Sequence, residues 1–209
     1  MSGHHGRKGA RKRSRQQCTQ DRKDYPDHSI VFTGHSLGGA IASVASIKYA
    51  WTRFGNSTLS DIILITFGQP RVGNMDFAVA HDRLIPHSFR IVHRYDLVAH
   101  LPFCYETLRS HSCMSLRNHG PYHHGTEIWY PNDMTNISLY RICTSLPRNE
   151  DDTCSNSQYA HFNIDDHTFY YNEHVSEYGK RGCLPIRDRH RYHTDVIEKY
   201  HIDYVVLYP

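Results

Sequence analysis

A chain of 209 residues, 39% of them hydrophobic, is long enough to bury one core and therefore predicts one main domain. No run approaches the roughly 18 consecutive apolar residues of a membrane helix, so no transmembrane segment is predicted. The net charge of +3 is unevenly placed, because residues 1–25 carry +6 and the rest of the chain therefore carries −3.

The basic charge belongs to an N-terminal segment, residues 1–24, which has no apolar periodicity and is predicted to be disordered. A contact with nucleic acid or an anionic membrane, and a nuclear-import patch, are its functional interpretations. We favour a solvated extension or a misassigned start codon, and we expect no nucleic-acid partner. The segment lacks the apolar centre of a secretory signal, so no signal peptide is predicted in this chain.

The first predicted element is a short apolar strand over residues 30–33, which runs into the pentapeptide Gly34-His-Ser36-Leu-Gly38. Small and apolar residues then follow helical spacing over residues 37–54. Strand, tight turn and helix are the setting of a nucleophile elbow, in which Ser36 would lie on a strained turn above the sheet. We expect positions 34 and 38 to require glycine, because a Cβ at either one would collide with the neighbouring strand or helix. A glycine-rich structural turn is the alternative.

The following elements alternate between strand and helix. The run Ile62–Phe67 is almost entirely apolar, as expected for a parallel strand buried on both faces. Asn74 is predicted to cap a helix over Met75–Leu84, and residues 89–94 are predicted to form a third strand. This alternation predicts an α/β fold with a mostly parallel sheet, flanking helices and right-handed crossovers.

The second half of the chain is less regular. Residues 102–122 are rich in histidine and show no periodicity, and a polar loop is predicted over residues 148–157. Strands are predicted at Thr126–Tyr130 and at residues 137–142, and a helix is predicted over residues 166–178. Residues 184–209 form a charged C-terminal extension to which we assign no role.

A serine nucleophile needs a base, normally histidine, and a carboxylate that orients the base. In α/β-hydrolases the acid follows the serine and precedes the histidine, and it lies just after a strand. Asp96 fits because it follows the third strand, whereas Asp61 precedes its strand; capping of a loop is the alternative role for Asp96. The backbone N–H of Leu37 is a candidate donor to a developing oxyanion.

Spacing alone leaves the base open, because the chain has 18 histidines. Those that follow Asp96 all qualify by their order: His100, His111, His119, His123, His124, His161, His167, His174 and the histidines of the C-terminal segment.

The six cysteines include no Cys-x-x-Cys pair, so we expect no zinc or other metal site. The close spacing of Cys104 with Cys113, and of Cys143 with Cys154, predicts disulfides and hence an oxidising compartment. Glycosylation sequons at Asn56 and Asn136 agree with that compartment. We therefore expect an extracellular, secreted protein, although no signal peptide is predicted.

Several segments together resemble the class 3 lipases, the fungal triacylglycerol lipase-like branch of the α/β-hydrolases. The N-terminal ones are IVFTGHSLGGA at 30–40, ITFGQPRVGN at 65–74 and RIVHRYDLVAHLP at 90–102. The sequence HGTEIWY at 124–130 is similar to the family strand that follows, and residues 154–157, 166–171 and 182–183 are similar to its C-terminal end. The resemblance covers roughly residues 25–183.

The resemblance implies Ser36 as nucleophile, Asp96 as acid and His167 as base, and it assigns His124 only to a structural strand. It implies a serine hydrolase that acts through an acyl-enzyme, without cofactor or metal. The implied partner is a lipid ester substrate, met at a lipid–water interface. The family disulfide near the last loop corresponds to Cys143 and Cys154. Cys183 resembles a cysteine that bonds near the N-terminus, where Cys18 is the one candidate.

The chain departs from the family before its first strand. Class 3 lipases carry there their first strands, a lid helix and the residue that supplies the first oxyanion donor, whereas only residues 1–24 precede this domain. We therefore expect an N-terminally truncated α/β-hydrolase-type domain over residues 25–183, with Leu37 as its identified oxyanion donor. A catalytically impaired homologue that retains only lipid binding is the alternative.

Overall fold

The computed structural model describes residues 23–53, 61–106, 113–114, 119–135, 138–146, 148–158 and 161–183. Cys18, the sequon residues Asn56 and Asn136, and the segments 1–22 and 184–209 lie outside this described part of the chain. The predictions made for them stay predictions.

A five-stranded sheet forms the centre of the described structure, in the order β1-β2-β3-β6-β7. The first four strands pair in parallel and β7 pairs antiparallel to β6. Their bounds are β1 Ile30–His35, β2 Ile62–Phe67, β3 His87–His93, β6 Thr126–Tyr130 and β7 Arg141–Cys143. Two helices complete the crossovers, α1 at Leu37–Arg53 and α2 at Met75–Leu84. The predicted mostly parallel α/β architecture is confirmed.

The remaining elements are short and lie outside the main sheet. They include the ribbon of β4 (Tyr105–Glu106) and β5 (Cys113–Met114), helix α3 (Asp165–Thr168), the ribbon of β8 (Phe169–Tyr170) and β9 (Glu173–His174), and helix α4 (Val175–Lys180). Two short 3-10 helices lie at Val98–His100 and Ser155–Gln158. Among the described residues, no helix is both long and apolar enough to cross a membrane.

The core explains why the first half of the chain was readily predicted. Ile62 and Leu64 of β2 are fully buried and pack with Phe32 of β1 and with Ala42 and Ala50 of α1. An apolar strand covered in this way loses its contact with water, which stabilises the fold by roughly 25 cal/mol for each Å² buried. Helix α2 begins as predicted, since the side chain of Asn74 accepts a hydrogen bond from the backbone N–H three residues later.

Two elements of the second half were predicted wrongly. The strand expected at residues 137–142 is the shorter β7, which starts at Arg141. The single helix expected at residues 166–178 is a helix, a two-stranded ribbon and a second helix. The break falls at Tyr171 and Asn172, whose φ angles of 50° and 62° form the turn of the ribbon and are incompatible with a continuous right-handed helix.

A buried ion pair joins the loop after β2 to the segment after β7. The guanidinium of Arg71 donates to both oxygens of Glu150 at 2.8 and 2.7 Å, and it also donates to the carbonyl oxygen of His100. Glu150 accepts a further hydrogen bond from the backbone N–H of His123. Burial opposes the charge of Glu150, but His123 and Arg71 hold its pKa well below the ordinary value.

A second buried polar group lies between α1 and β6. The Nε2 atom of His124 is 2.7 Å from the hydroxyl of Ser43 and 3.3 Å from the amide nitrogen of Gln69. An amide nitrogen only donates, so Nε2 is the acceptor in both contacts. Burial, and then the charges of His81 and Arg90, hold the pKa of His124 well below its usual value. His124 is therefore neutral in the folded protein.

The neutral state of His124 predicts a loss of stability in mild acid. Below about pH 6.5 the unfolded chain protonates this histidine whereas the folded chain does not, so stability is present above that pH and falls below it. Each such group contributes a slope of up to about 1.4 kcal/mol per pH unit. Urea unfolding measured across this range should show a shallower slope for His124→Gln than for the unaltered protein. The exposed His87 provides the control, and equal slopes for all three proteins would contradict the prediction.

Candidate active site

The turn between β1 and α1 has the geometry of a nucleophile elbow. Ser36 has a φ of +58°, in the left-handed region that a non-glycine residue rarely adopts. Its N–H donates to the carbonyl of Phe67 in β2, and its carbonyl accepts from the N–H groups of Gly39 and Ala40 in the first turn of α1. These bonds fix the strained turn, so that the serine side chain stands at the carboxyl end of the sheet.

The glycines around Ser36 differ from the sequence prediction. A Cβ on Gly34 would lie 2.4 Å from the backbone of Gly38, so Gly34 is required. A Cβ on Gly38 would have nothing within 4 Å, and the expected collision at this position is wrong. The crowded helical glycine is Gly39, whose Cβ would lie 3.2 Å from the side chains of Gln69 and Thr66. Helix α1 approaches β2 with the face that carries Gly39, whereas Gly38 faces outward.

This difference gives a matched pair of substitutions. Gly34→Ala should destabilise the protein by at least about 1–3 kcal/mol, because the new methyl group meets backbone that cannot rotate away. Gly38→Ala should be neutral or stabilising by up to about 1 kcal/mol, because alanine favours the helix. Urea denaturation of both variants measures the difference. Equal losses of stability in the two variants would show that the elbow packs differently.

The predicted acid, Asp96, is fully buried in the loop after β3. Its Oδ1 atom accepts from the backbone N–H groups of Val98 and Ala99, at 2.8 and 3.2 Å. Its Oδ2 atom accepts from the hydroxyl of Tyr170 at 2.6 Å. Burial raises the pKa of a carboxyl, but here the hydrogen bonds from His167, Tyr170 and Ala99 outweigh it and lower the pKa of Asp96. Asp96 is therefore an ionised, fixed acceptor.

The predicted base, His167, lies in α3 and meets this carboxylate. Its Nδ1 atom is 3.0 and 2.9 Å from the two oxygens of Asp96. Because a carboxylate only accepts, Nδ1 carries a proton and Nε2 is the nitrogen left to act as a base. Among the histidines of the described segments that qualified by order, His167 is the one whose ring meets the carboxylate of Asp96, whereas His100 contacts its backbone carbonyl.

Ser36 and the pair of Asp96 and His167 lie at the same end of the sheet. The ring of His35, the residue before Ser36, stacks on the ring of His167 with 4.5 Å between centroids. Gly68, in the loop after β2, lies beneath the pair, and a Cβ there would come within 2.9 Å of both His167 and Asp96. The backbone N–H of Leu37 belongs to the first turn of α1, where N–H groups have no partner within the helix.

Two residues at this site were missed by the sequence analysis. Tyr170 lies against Asp96, and its burial, followed by the charge of Asp96, raises the pKa of its hydroxyl well above the usual value. Tyr170 was missed because residues 166–178 were predicted as one continuous helix, whereas Tyr170 lies in a two-stranded ribbon whose turn follows it. His35 was treated only as part of the pentapeptide, and its contact with His167 joins residues far apart in the chain.

Both predicted disulfides are present, Cys104–Cys113 and Cys143–Cys154, while Cys183 is free and exposed. The carboxylate of Glu127 lies within 4.8 Å of the sulfurs of Cys143 and Cys154. Those sulfurs are bonded to each other and are not thiolate ligands, so this group does not form a metal centre in the oxidised protein.

A cleft of about 330 Å³ lies at the opposite end of the sheet, between the first residues of β3 and β6 and the segment after β7. Asp82, Ser88 and Arg148 are among its lining residues, and Ser36, Asp96 and His167 are not. The cleft is therefore separate from the candidate active site.

The parallel sheet, the strained serine turn and the acid–histidine pair at the strand ends define an α/β-hydrolase fold. A family model, the class 3 lipases, matches residues 6–106, which include Ser36 and Asp96. The chain belongs to the class 3 lipase family.

Relatives and solved structures agree with this assignment. The chain is 39% identical over 175 residues to a lipase of Caenorhabditis elegans, ZK262.3, covering 77% of this chain and 49% of that protein. It superposes on a lipase from Rhizopus microsporus var. chinensis with a TM-score of 0.63 and 32% identity, covering 78% of this chain and 50% of the other. A triacylglycerol lipase described as having a serine protease triad at its catalytic centre gives a TM-score of 0.60 at 31% identity, covering 74% of this chain and 52% of the other. The chain thus spans about half the length of these proteins.

Proposed function

We propose that the protein is a serine hydrolase of lipid carboxylic esters, with Ser36 as nucleophile, His167 as base and Asp96 as the orienting acid. The observation that carries this proposal is the buried carboxylate of Asp96 within 3.0 Å of Nδ1 of His167, beside a serine held at a φ of +58°. Nucleophile, base and acid also occur in the chain order of α/β-hydrolases.

In the proposed reaction, Nε2 of His167 takes the proton of Ser36 as its Oγ atom attacks the ester carbonyl carbon. The tetrahedral intermediate collapses when His167 returns that proton to the leaving alcohol, which leaves an acyl-serine. Water, deprotonated by the same nitrogen, then attacks the acyl carbon. His167 returns this proton to Oγ of Ser36 as the acyl–oxygen bond breaks, which releases the fatty acid and restores the serine. Asp96 keeps the histidine in the required tautomer and stabilises the imidazolium that forms in each half-reaction.

The oxyanion of the intermediate is proposed to accept the N–H of Leu37, which also benefits from the positive end of the α1 dipole. Each such donor contributes about 10²–10³-fold to the rate. Leu37 is the donor that we assign among the described residues.

The lipid nature of the substrate rests on the family and on the surface beside the elbow. Leu37 and Ile41 are 67% and 58% exposed, and Val44 and Trp51 continue this apolar stripe along α1. An exposed apolar stripe that begins next to the nucleophile suits an acyl chain or a lipid–water interface better than a polar substrate. The two disulfides support the further proposal of an extracellular location.

The proposal is tested by the hydrolysis of short-chain p-nitrophenyl esters and of emulsified triacylglycerol by the purified full chain. Ser36→Ala should abolish both activities and should also abolish labelling by a fluorophosphonate probe. Substitution of the exposed Ser176 by alanine is the matched control. Equal rates for the unaltered protein and Ser36→Ala would refute the assignment of Ser36.

The second candidate function is lipid binding without useful catalysis, which the same exposed apolar stripe of α1 favours. In that case the folded chain would bind vesicles of phosphatidylcholine but would not react with the fluorophosphonate probe. Replacing Ile41 and Trp51 by serine should then reduce vesicle binding, whereas Ser36→Ala should leave it unchanged.

A further inference from the structure

His35 makes two contacts with the residue that we propose as the catalytic base. Its ring stacks on the ring of His167 at 4.5 Å with an interplanar angle of 29°, and it also meets the edge of Tyr170 at 5.5 Å. Its Nε2 atom lies 2.8 Å from the backbone carbonyl oxygen of His167. A carbonyl oxygen only accepts, so His35 donates this hydrogen bond. His35, which directly precedes Ser36, thus contacts both the ring and the backbone of His167.

We propose that His35 is a positioning residue, which fixes His167 between Asp96 and Ser36 by this hydrogen bond and this stacking contact. The inference rests on the function proposed above and adds a residue to it. His35 ends β1, and Ser36 is the next residue, so one short stretch of backbone sets the positions of both the nucleophile and the base.

Asp96 holds the side chain of His167 at Nδ1, and the other anchors from outside the segment act on the neighbouring Asp166. The Nδ1 atom of His93 donates to the carbonyl of Asp166, and the backbone N–H of Tyr95 donates to the side chain of Asp166. Of the hydrogen bonds described for this segment, the one from His35 reaches His167 itself from the elbow. A displaced base is expected to lower the rate sharply, since a misplacement of about 1 Å reduces rates by roughly 10²-fold.

The electrostatic surroundings agree with a neutral His35 that carries its single proton on Nε2. Burial is the main cause that lowers the pKa of this imidazole, and the hydrogen bond to the carbonyl of His167 opposes it. The charge of His167 lowers this pKa further and that of Asp96 raises it. A neutral ring can lie against the imidazolium that forms on His167 during catalysis, whereas a charged ring would repel it.

Two variants separate the hydrogen bond from a general packing role. His35→Phe keeps a flat ring but removes the donor, and should lower kcat for a p-nitrophenyl ester by about 10- to 100-fold with KM within about twofold. His35→Gln carries an amide nitrogen near the position of Nε2 and should restore most of that loss. The exposed His87→Gln is the matched control and should change neither constant.

A second measurement does not depend on ester hydrolysis, so it separates this inference from the proposed function. The proton on Nδ1 of His167, shared with Asp96, should give a downfield imidazole resonance in the full chain that is absent from His167→Gln. The resonance should broaden or shift in His35→Phe and recover in His35→Gln. A protein without hydrolase activity that still shows this pattern would refute the function and keep the positioning role.

The proposal is overturned if His35→Phe leaves both kcat and the resonance unchanged, or if His35→Gln fails to restore them. It is also overturned if His35→Phe loses activity only together with its near-ultraviolet circular dichroism, because His35 would then have a structural role alone.

Discussion

Replacing Asp96 by asparagine is expected to lower kcat for a p-nitrophenyl ester by about 10⁴-fold while the protein stays folded. The carboxylate of Asp96 accepts from four donors: the N–H groups of Val98 and Ala99, the hydroxyl of Tyr170 and Nδ1 of His167. An asparagine has one accepting oxygen and must direct its NH₂ group at some of these donors. With its oxygen toward the two backbone N–H groups, it would present that NH₂ to Tyr170 and His167.

The consequence is a change of tautomer in the proposed base. His167 would accept from the asparagine at Nδ1 and carry its proton on Nε2, where it cannot take the proton of Ser36. The shape of the site would change little, because the two side chains are nearly isosteric. KM should therefore change much less than kcat.

The measurement is a steady-state comparison of Asp96→Asn with the unaltered protein, accompanied by a urea unfolding curve. Asp133 provides a control, because it is 75% exposed and pairs only with Arg94 among the ion pairs described. Asp133→Asn should keep full activity. A value of kcat for Asp96→Asn within tenfold of the unaltered protein would mean that this carboxylate does not set the tautomer of the base.

The elements that were predicted well from the sequence are those whose formation depends on residues close together in the chain. Strand β2 and helix α2 were predicted with the bounds that the structure has, because an apolar run and an asparagine cap act within a few residues. The helix expected at 166–178 failed because Tyr171 and Asn172 adopt positive φ angles. Asparagine adopts this conformation more often than most residues do, but tyrosine rarely does, so the residue types alone did not indicate a turn. The turn is accompanied by a hydrogen bond from Tyr170 to Asp96, in a distant part of the chain.

The same division applies to the candidate site. Ser36 and Asp96 were derived from their positions after strands, since a parallel sheet brings the carboxyl ends of its strands together. His167 could not be derived in this way, because nothing near it in the sequence distinguishes it from the other histidines; only the resemblance selected it. The role proposed for His35 depends on a contact across 132 positions of the chain, which no local pattern reveals.

The loop predicted over residues 148–157 shows that a polar sequence does not by itself reveal which of its side chains are buried. It was predicted only as a polar loop, and Glu150 and Asp151 are buried in it. The side chain of Glu150 meets Arg71, which lies in the loop after β2. A charged residue in a polar loop is normally exposed, and only a partner brought from another loop makes its burial favourable.

That buried pair leads to the largest expected change in stability. Arg71→Met should destabilise the protein by about 3–5 kcal/mol, because it leaves the carboxylate of Glu150 buried without its main partner. It also removes the donor to the carbonyl of His100, which is close in sequence to the loop of Asp96. Activity should therefore fall together with stability if Asp96 acts as proposed.

A double substitution distinguishes a lost charge partner from a simple loss of packing. Arg71→Met combined with Glu150→Leu should be less destabilising than the sum of the two single changes, because no unpaired charge remains in the interior. Urea unfolding of the three variants measures this coupling. Arg181→Met removes an ion pair at the surface, with Glu173, and should change stability by only about 0–1 kcal/mol. Strict additivity of the two buried substitutions would show that Arg71 and Glu150 contribute independently and that their pairing does not hold the loops together.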